Sequence, residues 1–230
     1  MKKLLLFLIS STVTLLMPAQ DELLVVSDTL VQNSFFSLGN VENWRFHPGD
    51  DLKWAEPNFD DSSWLNLKPT GLTEPIPDAL WQGYGWFRLR FAADSTITNK
   101  IWSLYFSSWG AADVYLDGQL VQSYGRFSSD PRTEVRYMPE RKLYPLIVLT
   151  PKQNHVLAVR FSYHNGPLYK KILGKRSGNF GFGINLDHSN VNHHIILDRE
   201  SSARIVYISS AMLLVIFLLH GFLFLLFPAQ

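Results

Sequence analysis

The 230-residue sequence contains no cysteine. That excludes a disulfide framework, a zinc–thiolate centre and a cysteine nucleophile, so an exported domain made from it is held by its packed core. Charge is scarce too. Charged residues make up 18% of the chain, against roughly 25% in an ordinary soluble domain, which means apolar sequence is concentrated somewhere. Neither sign dominates: 21 Lys and Arg face 20 Asp and Glu, a net charge of +1, so the basic footprint of a nucleic-acid-binding surface is missing. No amphipathic helical pattern of any length occurs outside one terminal apolar run, and there is no repeat of fixed period or low-complexity tract. A G-x-S-x-G nucleophile elbow and a Ser-His-Asp order are absent. The Gly178–Gly183 run lacks the G-K-[ST] end of a phosphate loop and reads instead as a late strand with close backbone approach.

What the chain does have is membrane sequence at both ends. Residues 1–20 place Lys2 and Lys3 before an apolar stretch from Leu4 to Met17, with Ala19 after it. That order is a secretory signal peptide, and the apolar stretch is short for a span. The run Ile205–Phe227 holds no Asp, Glu, Lys or Arg and is long enough as a helix to cross a hydrocarbon core of about 30 Å. Ser209 and Ser210 can bond back to their own helix, and His220 reads as a neutral imidazole within it. A transmembrane helix following a cleaved signal implies a domain exported across a membrane and held to the lipid by residues 205–227. Arg199 and Arg204 then lie on the exported side, a modest bias that a signal peptide overrides. Only Pro228, Ala229 and Gln230 follow the run, so the chain is expected to be the N-terminal part of a longer protein.

Between these ends, residues 21–186 read as an all-β domain and 187–204 as a polar connector. Strands are expected at Tyr84–Ala92, Lys100–Ser107, Ala112–Leu116, Gln119–Ser123 and His155–Tyr163, all rich in residues that fill a pleated, half-buried surface. Asp117-Gly118, set between two apolar runs, predicts a tight hairpin with positive φ angles. In the first strand Trp86, Arg88 and Arg90 alternate with Phe87, Leu89 and Phe91, giving one largely polar face and one apolar face. Many short antiparallel strands over this length predict a β-sandwich.

Three segments carry a family resemblance: Trp44 to Trp64 (WRFHPGDDLKWAEPNFDDSSW), Trp81 to Phe91 (WQGYGWFRLRF) and Ser103 to Val121 (SLYFSSWGAADVYLDGQLV). In this order they resemble the galactose-binding-like jelly roll that forms the N-terminal sugar-binding domain of glycoside hydrolase family 2. A jelly roll followed by a span ending LLHGFLFLLFP also resembles the extracellular region and first helix of bacterial seven-helix receptors with diverse intracellular signalling modules. The resemblance implies a carbohydrate-like ligand and a signalling output, such as a histidine kinase, in sequence outside this chain. A homodimer is compatible with that role.

Aromatic residues near turns are the candidate ligand contacts, because flat rings stack on the apolar faces of pyranoses: Trp81, Tyr84, Trp109 and Tyr124, with Arg126 as a donor to hydroxyls or a carboxylate. No catalytic residue and no cofactor is expected in this region. Asp50, Asp51, Glu56, Asp60 and Asp61 are suited in kind to a structural Ca²⁺, but the EF-hand spacing is missing. Asp60, Asp61 and Ser62 read as turn and cap residues that leave Trp54, Phe59 and Trp64 to pack. His188, His193 and His194 sit in the connector, which is not a rigid metal cage. The competing readings are a membrane-anchored glycan-active hydrolase, using carboxylates such as Asp60 or Asp61, and a non-catalytic adhesion or assembly module.

Overall fold

A computed structural model of the chain describes residues 23–31, 35–70, 80–137, 144–151, 154–165, 181–188 and 205–222. The expected signal peptide, residues 189–204 of the connector and residues 223–227 of the span lie outside the described residues. Among those described are eleven strands: β1 (Leu24–Val26), β2 (Phe35–Ser37), β3 (Trp44–Pro48), β4 (Leu65–Asn66), β5 (Tyr84–Ala93), β6 (Ile101–Ser108), β7 (Ala111–Leu116), β8 (Gln119–Tyr124), β9 (Leu146–Val148), β10 (His155–Ser162) and β11 (Phe182–His188). A single helix, α1 (Ile205–Phe222), follows.

The strands form two sheets. One has the order β4-β3-β5-β10-β7-β8, with β1 also pairing β5, and the other the order β2-β11-β6-β9. All pairings are antiparallel except β1 with β5, which is parallel. The fold is a jelly-roll β-sandwich. Its core is the layer between the sheets. Trp44, Phe46, Phe87, Leu89 and Phe161 from the larger sheet meet Trp102, Leu104, Phe106, Phe182 and Ile184 from the smaller. Phe182 sits at the centre, with Trp44, Phe87, Phe106 and Phe161 rings all within 6 Å of it. Edge-on and stacked packing of such rings is the main cohesive contact in a core without disulfides.

Local chemistry fixes the register. Asp117 and Gly118 adopt φ of 51° and 83° in the β7–β8 turn, the backbone that the Asp-Gly pair predicts. The Asp117 carboxylate then accepts from the Val156 amide at 2.9 Å and pairs with His155 Nδ1 at 2.8 Å, tying this turn to the start of β10.

The polar face expected on β5 is covered, not solvated. Residues 49–64 form a strap over the outer side of the larger sheet, built on a short 3₁₀ turn at Leu52–Ala55 whose cap is Asp51. Beneath it Trp54, Phe59, Trp64, Trp86 and Tyr115 make a second, smaller apolar cluster. Arg88, 0% exposed, lies inside. Its Nε donates to Asp61 Oδ2 at 2.7 Å, and its remaining N–H groups donate to the carbonyls of Trp54, Glu56 and Phe59. Arg90 Nε donates to the other Asp61 oxygen at 2.9 Å. The guanidinium fork, with five donors and a fixed plane, suits this task as lysine would not. Burial lowers the Arg88 pKa, while the Asp61 contact opposes that fall.

Four of the five carboxylates in the acidic stretch, those of Asp50, Asp51, Asp60 and Asp61, hold parts of the structure together. Asp60 accepts from the Ser62 amide at 3.0 Å. Asp50 accepts from Trp86 Nε1 at 2.9 Å and is gripped by Arg160. Burial raises the Asp50 pKa, but the Arg160 and Trp86 hydrogen bonds outweigh it and hold the carboxyl below its ordinary value. Among the described residues no three His, Asp or Glu side chains converge on a cation position.

The expected connector begins two residues early. Asp187 and His188 continue β11, opposite Ser103 and Trp102 of β6. Helix α1 has 18 residues and spans about 27 Å, long and apolar enough to cross a membrane. Ser209 and Ser210 donate to the carbonyls of Ile205 and Val206, and His220 Nδ1 bonds the Ile216 carbonyl, so both hydroxyls and one imidazole nitrogen are satisfied within the helix.

Candidate functional site

Strand β6 alternates. Trp102, Leu104 and Phe106 point into the core, leaving Ser103, Tyr105 and Ser107 on the outer face of the smaller sheet. On β11 the same face carries Gly183 beside Ser107 and Asn185 beside Tyr105. At the Ser107–Gly183 end of this face is a recess of about 420 Å³. Gly183 and Gly181 leave its floor without side chains, and Tyr105, Tyr144, Tyr137 and Thr70 form walls. Tyr105 and Tyr144 pack ring to ring at 4.6 Å.

Trp109 stands at the rim, 67% exposed. The following residue has to be glycine: a Cβ at Gly110 would meet the Ser162 carbonyl at 2.2 Å and the Phe161 ring at 2.7 Å. That close approach pulls the β6–β7 turn down onto β10 and leaves the preceding indole outside. The Gly110 carbonyl accepts from the Tyr137 amide at 2.9 Å, which ties the Tyr137 wall to the same turn.

The five sequence candidates are separated by the fold. Trp109 alone among them lines the recess. Tyr124 is 5% exposed and lies directly behind it, stacked on Phe106 at 4.5 Å and edge-on to Tyr137 at 5.1 Å. Its hydroxyl is closed off from solvent and has no hydrogen-bond partner among the described residues. Burial pushes this phenol well above the ordinary tyrosine range, and the neighbouring Tyr137 and Tyr144 phenols push it further. Trp81, 5% exposed, is a core residue between Phe46 and Phe161; its turn-proximal place in the sequence does not bring it to the surface. Tyr84 is half-buried against Phe127 and His164. Arg126 is exposed, with Nε and Nη2 both donating to the Thr133 carbonyl, so its guanidinium closes the loop that follows β8.

Tyr105, Ser107, Tyr137 and Tyr144 were not read as site residues from sequence. The alternation in β6 carries the signal for Tyr105 and Ser107, since polar and aromatic side chains share the face opposite Trp102, Leu104 and Phe106. Nothing comparable marks Tyr137 or Tyr144, which reach the recess only through loops.

A smaller recess of about 320 Å³ lies among Asn43, Arg45, Asp60, Asp61 and Arg90. Its ion pairs are those that fasten the strap.

No family model matches the chain. The β-galactosidase BoGH2A of Bacteroides ovatus is 31% identical over 101 residues, an alignment covering 37% of this chain and 12% of that enzyme. Similar solved structures include a β-glucuronidase of Bacteroides uniformis, at 14% identity and TM-score 0.39 over 66% of this chain and 18% of that one. Another is a glycosyl hydrolase family 2 member from Bacteroides cellulosilyticus, at 21% identity and TM-score 0.40 over 67% of this chain and 21% of that one. The sequence and structural neighbours are thus glycoside hydrolases of which this chain matches only a small part.

Proposed function

We propose that the chain is a membrane-anchored carbohydrate-binding domain of a signalling receptor, with the recess beside Trp109 as its ligand site. The observation that carries this reading is the exposed indole at the rim of a concave surface walled by tyrosine rings and hydroxyl groups. A pyranose offers an apolar face to a flat ring and hydroxyls around its edge, and the recess offers the complement of both. The local similarity to a β-galactosidase favours the same ligand class. Helix α1 supports the anchor. For the receptor role, ligand must bind better in one of two arrangements of the domain, and the segment after β11 must carry that bias to α1.

The test uses the full chain in detergent micelles, titrated with neutral mono- and disaccharides and followed by tryptophan fluorescence. Saturable binding that weakens about tenfold or more in Trp109→Ala, the usual loss for an aromatic anchor, is the expected result. Absence of saturable binding by every sugar, or binding indifferent to Trp109→Ala, would overturn it.

A further inference from the structure

The unusual group at this site is the Tyr124 hydroxyl. Buried polar atoms in folded proteins are almost always hydrogen-bonded, and each exception calls for a reason. Here the ring is well packed on Phe106, so position is not in question; only the oxygen lacks a partner among the described residues. The Tyr137 ring meets the Tyr124 ring edge-on at 5.1 Å, yet it does not satisfy that oxygen. Tyr137 and Tyr144 both line the recess, and the Tyr137 ring is a single side chain at its wall. Rotamer changes of that size are common when a ligand enters a preformed site.

We infer that Tyr124 determines specificity in the recess: its hydroxyl, unsatisfied in the free protein, bonds a hydroxyl of an uncharged sugar that enters past Tyr137. This rests on the recess being the sugar site proposed above. The free protein carries the cost of an unpaired buried group, and the bound state recovers it, so the contact strengthens binding by more than an ordinary surface hydrogen bond. The ligand class follows from the surroundings. Among the described residues the recess is lined by hydroxyl, aromatic and glycine residues and by no cation. A carboxylate held by these described residues alone would lose its hydration and gain no counter-charge.

Tyr124→Phe keeps the stacked ring and deletes only the oxygen. Two measurements on the full chain in micelles separate this inference from the reading beneath it. Without sugar, the variant is expected to melt about 2–4 °C higher than the natural protein, because an unsatisfied buried group has gone. A lower melting temperature would show that the hydroxyl already had a partner and would overturn the inference, whatever binds. With D-galactose and D-glucose against D-galacturonate and D-glucuronate as probes, a neutral sugar is expected to bind more tightly than its acid, and Tyr124→Phe to weaken the neutral sugar about 5- to 30-fold. Unchanged affinity in Tyr124→Phe alongside a loss in Trp109→Ala would refute the role of Tyr124 and leave the recess standing. Tighter binding of the acids would refute the ligand class. Failure of all four probes would remove the site reading and this inference together.

Discussion

Asp187 is 4% exposed on the outer face of the smaller sheet, and its Oδ1 has no hydrogen-bond partner among the described residues. Burial alone pushes its pKa from 3.8 up to about 6. Because the folded-state value is the higher one, the native protein binds a proton more tightly than the unfolded chain does. The contribution of Asp187 to stability is therefore most favourable below pH 3.8 and is lost as pH rises through about 6. At neutral pH the native state carries a penalty of at most about 3 kcal/mol from this shift. Asp187→Asn removes the charge while keeping the shape. Guanidinium unfolding of the full chain in micelles, followed by fluorescence, should show the variant more stable by about 1–3 kcal/mol at pH 7.5, with the difference shrinking towards zero near pH 3.5. A variant less stable at pH 7.5, or a difference independent of pH, would mean that Asp187 has a partner in solution and would refute the reasoning.

Two further perturbations test other parts of the molecule. Asp61→Asn leaves the sealed Arg88 charge without its counter-ion and should cost about 3–5 kcal/mol in denaturant unfolding; the double change Asp61→Leu with Arg88→Met should recover much of it, and equal loss in both would sink the ion-pair account. Leu214→Arg, near the middle of α1, adds about 2.5–3.5 kcal/mol to the cost of membrane insertion, so the share of protein retained in membranes after alkaline extraction should fall; unchanged retention would argue against a span.

Much of the sandwich was legible in the sequence because its central strands are long and their turns chemically marked. β5, β6, β7, β8 and β10 begin or end within one residue of the apolar runs that predict them. The Asp117-Gly118 turn lies where its dipeptide says. The short strands β1, β2, β4 and β9 escaped notice, since two or three residues carry no periodicity and their place depends on partners far away in the chain. The face of β5 bearing Arg88 and Arg90 shows a deeper limit. Alternation separates two faces but cannot say which neighbours cover them; a strap drawn from residues 49–64 turned a polar face into an interior. The same limit applies to the candidate site. Trp81, Tyr124 and Trp109 look alike as aromatics near turns, yet two are buried and one is exposed, a difference made by packing against Phe46, Phe161 and Phe106 and by the close approach of Gly110 to β10.

β11 is an inner strand, flanked by β2 and β6, with Gly183 in the recess floor near one end and His188 at the other. The distance between them is about 17 Å along a taut, hydrogen-bonded ribbon. Tension or torque arriving from the C-terminal side of His188 therefore cannot be absorbed by peeling away an edge. It loads two ladders at once and is delivered, through one stiff filament, to the place where Ser107 and Gly183 meet. A ligand of the kind proposed for the recess would bear on this same strand.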